Sequence, residues 1–266
     1  MAAARFWWIT IEYRFAHNME LREKNEGPPL RAAAVLLAAG ASRRMRSDGS
    51  KALLTVGGRT VIERSAAALL AAPSVEELVV VTRPEDRDAV EAALGLHARF
   101  LTAIVDGGEE RTDSVRFGVR AVSPRADVIL VHDAARCFVD PVHVEAVARA
   151  SYEHGAALLA TRVRDTLKLS HNGFQSEETV DRDRFWAAQT PQGMRAARFL
   201  DVLMRSEHDR FRATDDAALH EHYHGPTKLV EGSAWNIKLT TPDDLELGEA
   251  LAARVSSSLA SKPQGS

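Results

Sequence analysis

Residues 32–51, AAAVLLAAGASRRMRSDGSK, contain the pattern that decides the fold. The run from Ala32 to Leu37 is short and apolar and leads into a small-residue turn at Gly40, which is typical of a buried strand followed by a loop. Small residues let a backbone approach a ligand closely, and successive N–H groups can bind an anion. Because Arg44 and Lys51 follow, the stretch predicts a strand that opens into a phosphate-binding loop.

Downstream of this loop, apolar runs alternate with amphipathic stretches. Further strands are predicted at Glu77–Thr82, Phe100–Val105, Asp127–Val131 and Ser233–Leu239. Helices are predicted at Thr60–Ala72, Pro84–Leu94, Asp113–Val122, Asp140–His154, Thr214–Tyr223 with Thr214 as its cap, and Thr240–Val255. This alternation predicts a Rossmann-like α/β fold, a mostly parallel sheet with helices on both faces.

The polar stretch Arg162–Thr190 interrupts the alternation, and we interpret it as a projecting β-arm. Residues 1–30 and 256–266 have the composition of a loosely docked or disordered extension and tail, which leaves 31–255 as one domain.

Composition narrows the class of function. The chain has 266 residues, 45% of them hydrophobic, and a formal net charge of −3, so no global basic field points to a nucleic-acid partner. No apolar run approaches the ~20 residues that span a membrane. The single cysteine, Cys137, excludes an intrachain disulfide and fits a reducing, cytoplasmic setting, and we interpret it as a packing residue.

Ligands of such sheets bind beyond the carboxyl ends of the strands. There, Gly108 lets a flat base approach the backbone, and Glu109 or Ser114 can hydrogen-bond the edge of that base. After a later strand, Asp133 can bind sugar hydroxyls or a divalent cation, and Arg136 can bind a phosphate.

Histidines at two places raise other possibilities. His132 precedes Asp133, but a histidine at a strand end is more often a packing or hydrogen-bonding residue than a general base. His220, His222 and His224 lie at a polar helix end, where a solvated face is favoured over a metal site. The chain contains neither the glycine fingerprint of dinucleotide-binding proteins nor a Walker phosphate loop, which argues against hydride transfer and P-loop chemistry.

Taken together, these segments resemble the 2-C-methyl-D-erythritol 4-phosphate cytidylyltransferases. The resembling blocks, in order, are AAGASRRM at 38–45 with Lys51, DGGEERTDSV at 106–115, LVHDAAR at 130–136, VRDTLK at 163–168, TVDR at 179–182, QTPQG at 189–193, ATDDAA at 213–218, LVEG at 229–232 and NIKLTTPDDL at 236–245. They cover nearly all of the chain from Ala32 to Leu251.

The resemblance implies a fold of the nucleotide-diphospho-sugar transferase type and an activity. Such enzymes transfer CMP from CTP to 2-C-methyl-D-erythritol 4-phosphate, with release of pyrophosphate, in the non-mevalonate isoprenoid pathway. It also implies Mg²⁺ held mainly by the CTP phosphates, no metal site made by the protein itself, and a homodimer in which the arm reaches the partner's active site.

The resemblance also assigns roles to residues of this chain. The predicted catalytic cations are Arg44, Lys51 and Lys238. The predicted nucleotide-binding residues are Ala38, Ala39, Gly40, Gly108, Glu109 and Ser114. The predicted acceptor-binding residues are Asp133, Arg136, Thr166, Arg182, Thr190 and Thr214.

Three departures and three alternatives accompany this interpretation. The family usually has proline where this chain has Ser50, Leu37 and Cys137, and none of these changes removes a charged group. The nearest alternative is a cytidylyltransferase that acts on ribitol 5-phosphate. The others are an enzyme that transfers nucleotides to sugar phosphates or a molybdopterin, and a non-catalytic nucleotide-binding paralogue.

Overall fold

A computed structural model describes residues 29–40 and 50–260, with the backbone alone for 255–260. Arg44, nearly all of the predicted extension 1–30 and the last six residues of the predicted tail lie outside the described residues. Within the described chain, no helix is both long and apolar enough to cross a membrane.

Among the described residues, seven strands form the central sheet: β1 Ala32–Leu37, β4 Val75–Thr82, β5 Leu101–Asp106, β6 Val128–Asp133, β7 Ala156–Arg162, β10 Trp186–Arg195 and β11 Lys228–Glu231. Their order is β11-β7-β10-β6-β1-β4-β5. All neighbours are parallel except β10, which runs antiparallel between β6 and β7. The prediction of a mostly parallel sheet is confirmed.

In the part of the chain that the structure describes, two small hairpins lie outside the sheet. They pair β2 Thr55–Val56 with β3 Arg59–Thr60, and β8 Lys168–Leu169 with β9 Glu178–Thr179.

The helices are α1 Val61–Leu70, α2 Arg87–Leu94, α3 Arg111–Arg120, α4 Pro141–His154, α5 Ala196–Asp209, α6 Asp216–His224 and α7 Pro242–Ala260. They cover both faces of the sheet because alternate residues of each strand point to opposite sides. On β1, Leu36 packs in the cluster that contains residues of α1, α2 and α4, whereas Val35 packs with α3 and α5.

Strand register brings the candidate residues together. The last residue of β1, Leu37, is paired with Asp133 of β6 on one side and with Val81 of β4 on the other. On the far side of β4, Thr82 is paired with Asp106, where the glycine loop begins. We call Ala38–Gly40, which follow β1, the first loop, and residues 106–109, which contain Gly107 and Gly108, the glycine loop. These two loops and Asp133 therefore lie at the same end of the sheet, as the parallel arrangement predicts.

Part of the predicted arm belongs to the sheet. Residues 186–190 begin β10, so the projecting segment is shorter than predicted and comprises residues 163–185, which we call the arm. Polar residues of β10, such as Gln189 and Gln192, are buried because side chains and backbone of neighbouring segments bond them.

One predicted strand and one predicted helix cap were wrong, and the last helix is longer than predicted. The strand predicted at Ser233–Leu239 is a loop, and the edge strand is Lys228–Glu231. Asp215, not Thr214, caps α6, since its carboxylate accepts from the N–H of Ala218. The last helix continues past Val255, so the predicted tail begins inside it.

Candidate active site

A cleft of about 560 Å³, which we call the first cleft, opens beyond the carboxyl ends of β1 and β6. It is lined by all six predicted nucleotide-binding residues, Ala38, Ala39, Gly40, Gly108, Glu109 and Ser114. Lys51, Asp133 and Lys238 line the same cleft. The structure therefore brings together residues from four distant segments of the chain.

The glycine loop packs directly on the first loop. A Cβ at Gly107 would collide with the side chain of Ala39, which explains the need for glycine there. The N–H of Gly108 donates to Ser114 Oγ over 3.1 Å, so this loop is fixed to the first turns of α3. The result is a narrow slot between two backbones with the N-terminal, electropositive end of α3 beside it.

Lys51 is held at the cleft by the segment that precedes α7. Its Nζ donates to the carbonyl of Thr240 over 3.1 Å. Asp244 fixes that segment, because its Oδ2 accepts from Thr240 N and Oγ1, each over 2.7 Å, and from Thr241 N. Burial raises the pKa of Asp244, but these hydrogen bonds outweigh it and lower the pKa to about 2.

Asp133 is the centre of charge in the cleft. Its Oδ2 lies 2.6 Å from Lys238 Nζ, and its Oδ1 lies 3.5 Å from Arg111 Nε. Burial pushes the pKa of Asp133 upward, but the charges of Arg111 and Lys238 prevail and hold it below the ordinary value. The carboxylate is therefore ionised and accepts hydrogen bonds at neutral pH.

Arg111 and its partner Asp216 were missed by the sequence analysis. The guanidinium makes two parallel bonds, Nη1 to Oδ1 over 3.0 Å and Nη2 to Oδ2 over 2.9 Å, with a carboxylate that is only 2% exposed. Burial lowers the pKa of Arg111, yet Asp216 raises it further, so the charge is permanent. Both residues lie inside the blocks DGGEERTDSV and ATDDAA, which was the available signal.

Arg83 was also missed, although it follows β4 directly and lines the cleft. Its guanidinium lies 2.6 Å from Asp86 and 3.2 Å from Glu85, so its orientation is set by two neighbours in sequence.

Arg136 and Thr190, predicted to contact the acceptor, support the cleft from behind. Arg136 Nη1 donates to the carbonyl of Asn236 over 2.9 Å, two residues before Lys238. Burial lowers the pKa of Arg136, which Asp133 partly offsets. Thr190 is buried, and its Oγ1 accepts from Asp133 N over 3.1 Å. Neither residue lines the cleft as it stands.

His132 connects these two residues, as the hydrogen-bonding interpretation expects. The carbonyl of Arg136 can only accept, so His132 Nε2 donates to it. The unprotonated Nδ1 of the neutral ring then accepts from Thr190 Oγ1, which itself accepts from Asp133 N. Burial is the main reason that the pKa of His132 falls to about 4, so the ring is neutral. It is fully buried and fixes the turn after β6.

The remaining predicted acceptor residues lie elsewhere. Thr166 and Arg182 are exposed on the arm, and Arg182 lines a second cleft of about 460 Å³ together with Arg162 and Arg164. Thr214 is exposed just before the cap of α6. Within one chain, none of these three lines the first cleft.

His220 and Cys137 are buried, whereas His222 and His224 on the same helix as His220 are exposed. His220 is 2% exposed between Arg198 and Thr227, so the solvated face predicted for it was wrong. In the part of the chain that the structure describes, no three acidic, histidine or cysteine side chains are arranged to hold a metal ion. Cys137 is buried, and burial raises its pKa to about 12, which keeps it protonated.

Comparison with known proteins matches this geometry to a family. The model of the family described as 2-C-methyl-D-erythritol 4-phosphate cytidylyltransferase matches residues 32–254. The chain belongs to this family. The match includes every described residue that lines the first cleft.

Individual relatives agree. The 2-C-methyl-D-erythritol 4-phosphate cytidylyltransferase of Geobacillus kaustophilus is 38% identical over 224 residues, which is 83% of this chain and 96% of the relative. A crystal structure of the Thermus thermophilus cytidylyltransferase of the same name aligns at a TM-score of 0.71 with 34% identity, covering 84% of this chain and all of that one. A synthase structure from Anaerococcus prevotii aligns at 0.75 with 27% identity, covering 85% and 97%.

Proposed function

We propose that this chain transfers CMP from CTP to 2-C-methyl-D-erythritol 4-phosphate and releases pyrophosphate. One observation carries the proposal. Lys51 and Lys238 are far apart in sequence, yet both line the first cleft together with the small-residue loops, at the carboxyl ends of the strands. That arrangement suits a nucleoside triphosphate, with the base in the slot and the phosphates beside the ammonium groups.

The chemistry needs charge and positioning more than proton transfer. A phosphate oxygen of the acceptor attacks the α-phosphorus, the bond to the β-phosphate oxygen breaks, and pyrophosphate leaves in line. The nucleophile is already an anion, so no general base is required, in keeping with the burial of His132. Lys51 and Lys238, together with Arg44, stabilise the charge that develops on the transferred phosphoryl group.

We propose that Mg²⁺ arrives as part of the CTP complex, where it offsets the charge of the phosphates. The donor set supports this. Asp133, a carboxylate of the cleft, already pairs with both Lys238 and Arg111.

We also propose a homodimer in which the arm of one chain completes the site of its partner. Thr166 and Arg182 are exposed on the arm and do not line the first cleft of their own chain. A second copy would bring them to the acceptor phosphate, which Arg182 can bind as a planar donor.

We propose a cytoplasmic location as well, which the reducing setting that a single cysteine favours supports.

The test is pyrophosphate release by purified protein with Mg²⁺ and CTP. We expect release with 2-C-methyl-D-erythritol 4-phosphate and none above background with ribitol 5-phosphate. Lys238→Ala serves as the control for contaminating activity. Release with ribitol 5-phosphate alone would overturn the assigned acceptor, and CTP binding without release from either acceptor would support the non-catalytic alternative.

A further inference from the structure

Arg111 lines the first cleft, but its guanidinium is engaged with carboxylates. Two of its nitrogens bond Asp216 in the bidentate manner, and the third lies 3.5 Å from Asp133. A planar guanidinium used in this way has its donors already directed. Arg111 is therefore arranged to hold an acidic side chain rather than to bind the triphosphate itself.

Asp216 is fixed to the sheet by the start of α6. Gln192 of β10 accepts from the N–H of Ala217 over 2.8 Å and donates to Asp215 over 2.9 Å. Asp215 in turn caps the helix. The buried carboxylate of Asp216 thus has a set position, and it transmits that position to Arg111.

Lys238 pairs with Asp133 and is also proposed to bind the reacting phosphates. It is 43% exposed and lies 2.6 Å from Asp133, whose side chain is 13% exposed. To bind a reacting phosphate, the ammonium has to turn away from this carboxylate at least in part. A largely buried carboxylate that loses its only cation is strongly destabilised. A second cation that does not move removes this penalty.

We propose that Arg111, held by Asp216, is a positioning residue that keeps the Asp133 carboxylate paired and in place while Lys238 turns to the reacting phosphates. The inference deepens the proposed function and rests on it. It assigns the mobile charge to the exposed lysine and the fixed charge to the arginine.

The charges around Asp133 give this role a measurable signature. Arg111 of α3 and Lys238 of the loop before α7 face it, and His132 and Arg136 flank it on its own segment. His132 is neutral, and Arg136 is directed to Asn236. Removing the charge of Arg111 leaves Lys238 as the main stabilising partner, so the pKa of Asp133 rises.

The test compares Arg111→Met, Arg111→Lys and wild type across pH. In Arg111→Met we expect kcat to fall by about tenfold or more, as for loss of a preorganised charge, and the acid limb of the pH–rate profile to move to higher pH. Arg111→Lys should return the acid limb toward the wild-type pH, because the positive charge is present. It should not restore the full wild-type kcat, because lysine cannot make the bidentate pair with Asp216. Arg120→Met, on the same helix and paired with Glu207 far from the cleft, is the matched control and should match wild type.

A second readout does not need turnover. Carboxyl NMR titration of the ligand-free protein, with Asp133→Asn to assign the resonance, should show a higher pKa for Asp133 in Arg111→Met than in wild type. An unchanged pKa and an unmoved pH profile would overturn the proposal, whatever the loss of rate. If Arg111→Met does not fold, Arg111→Lys with wild-type kcat would overturn it equally. A wild-type protein without turnover would contradict the proposed function instead, and the NMR comparison would still decide the role of Arg111.

Discussion

The first cleft and the arm hold their predicted site residues in different ways. In the cleft, Asp133 is tied to Lys238 and Arg111, partners that lie far from it in sequence. On the arm, Arg182 donates to the nearby carbonyl of Arg164, and Lys168 bonds Thr179 across one short hairpin. The contacts of Asp133 in the first cleft join segments that are distant in sequence, whereas these contacts of the arm stay within the arm.

This difference indicates where each half of the reaction is organised. Long-range ion pairs order the first cleft within one chain, which is the preorganisation that charge stabilisation needs. The exposed arm residues gain a fixed environment only when something covers them. A second copy of the chain is the occupant that the proposed function requires.

The largest expected effect comes from the first cleft. We expect Lys238→Ala and Lys51→Ala each to lower kcat by at least roughly 10²-fold, as for loss of one preorganised donor. Steady-state kinetics with both substrates measures the effect. The melting temperature should change little for Lys238→Ala, because the Lys238 side chain is 43% exposed. Near wild-type turnover in either variant would contradict the assigned role.

Mixing two variants that are each impaired at low acceptor concentration tests whether the arm acts on the partner. A dimer of Lys238→Ala with Arg182→Ala contains one intact site only if the arm works across the dimer. After denaturation and joint refolding at equal amounts and low acceptor concentration, activity should recover to about a quarter of wild type, since half of random dimers are mixed and half of their sites are intact. Each variant refolded alone is the control. No recovery beyond the sum of the controls would place the arm on its own cleft.

A smaller and more selective effect is expected on the arm. Arg182→Ala should raise the KM for the acceptor by about tenfold, in the range of one charge-assisted hydrogen bond, while the KM for CTP stays close to wild type. The neighbouring Arg184→Ala, on the same turn, is the matched control. An effect confined to CTP would show that Arg182 belongs to the nucleotide side.

The sequence predicted the cleft better than its supports. The small-residue loops, Lys51 and Asp133 follow from strand ends and from the family blocks, because parallel strands bring such ends together. The pairing of Arg111 with Asp216 spans 105 residues and depends on how α6 docks on β10, which no local pattern encodes. The sequence contained both residues but not their contact.

The errors have local physical causes. Residues 186–190 of β10 are predicted as part of the arm because Gln189 is polar and the groups that bury it lie elsewhere in the chain, as they also do for Gln192 further along the strand. Thr214 and Asp215 are both good helix caps, and the bonds from Gln192 to Asp215 and Ala217 select the second. A single sequence cannot make that choice.

The smallest expected effect concerns the support of Lys51. Asp244 holds Thr240 and Thr241, and its pKa of about 2 lies below the ordinary value of an aspartate. A carboxyl group whose pKa is depressed on folding stabilises the protein above its unfolded pKa, and this contribution is lost as pH falls through the folded pKa. The difference in the free energy of unfolding between wild type and Asp244→Ala should therefore be constant above about pH 5 and shrink between about pH 4 and 2. Urea titrations at several pH values measure it. Asp243→Ala, in the same first turn, is the matched control, because the bonds from Thr240 and Thr241 go to Asp244. A constant difference down to pH 2 would mean that Asp244 supports the cleft by packing alone.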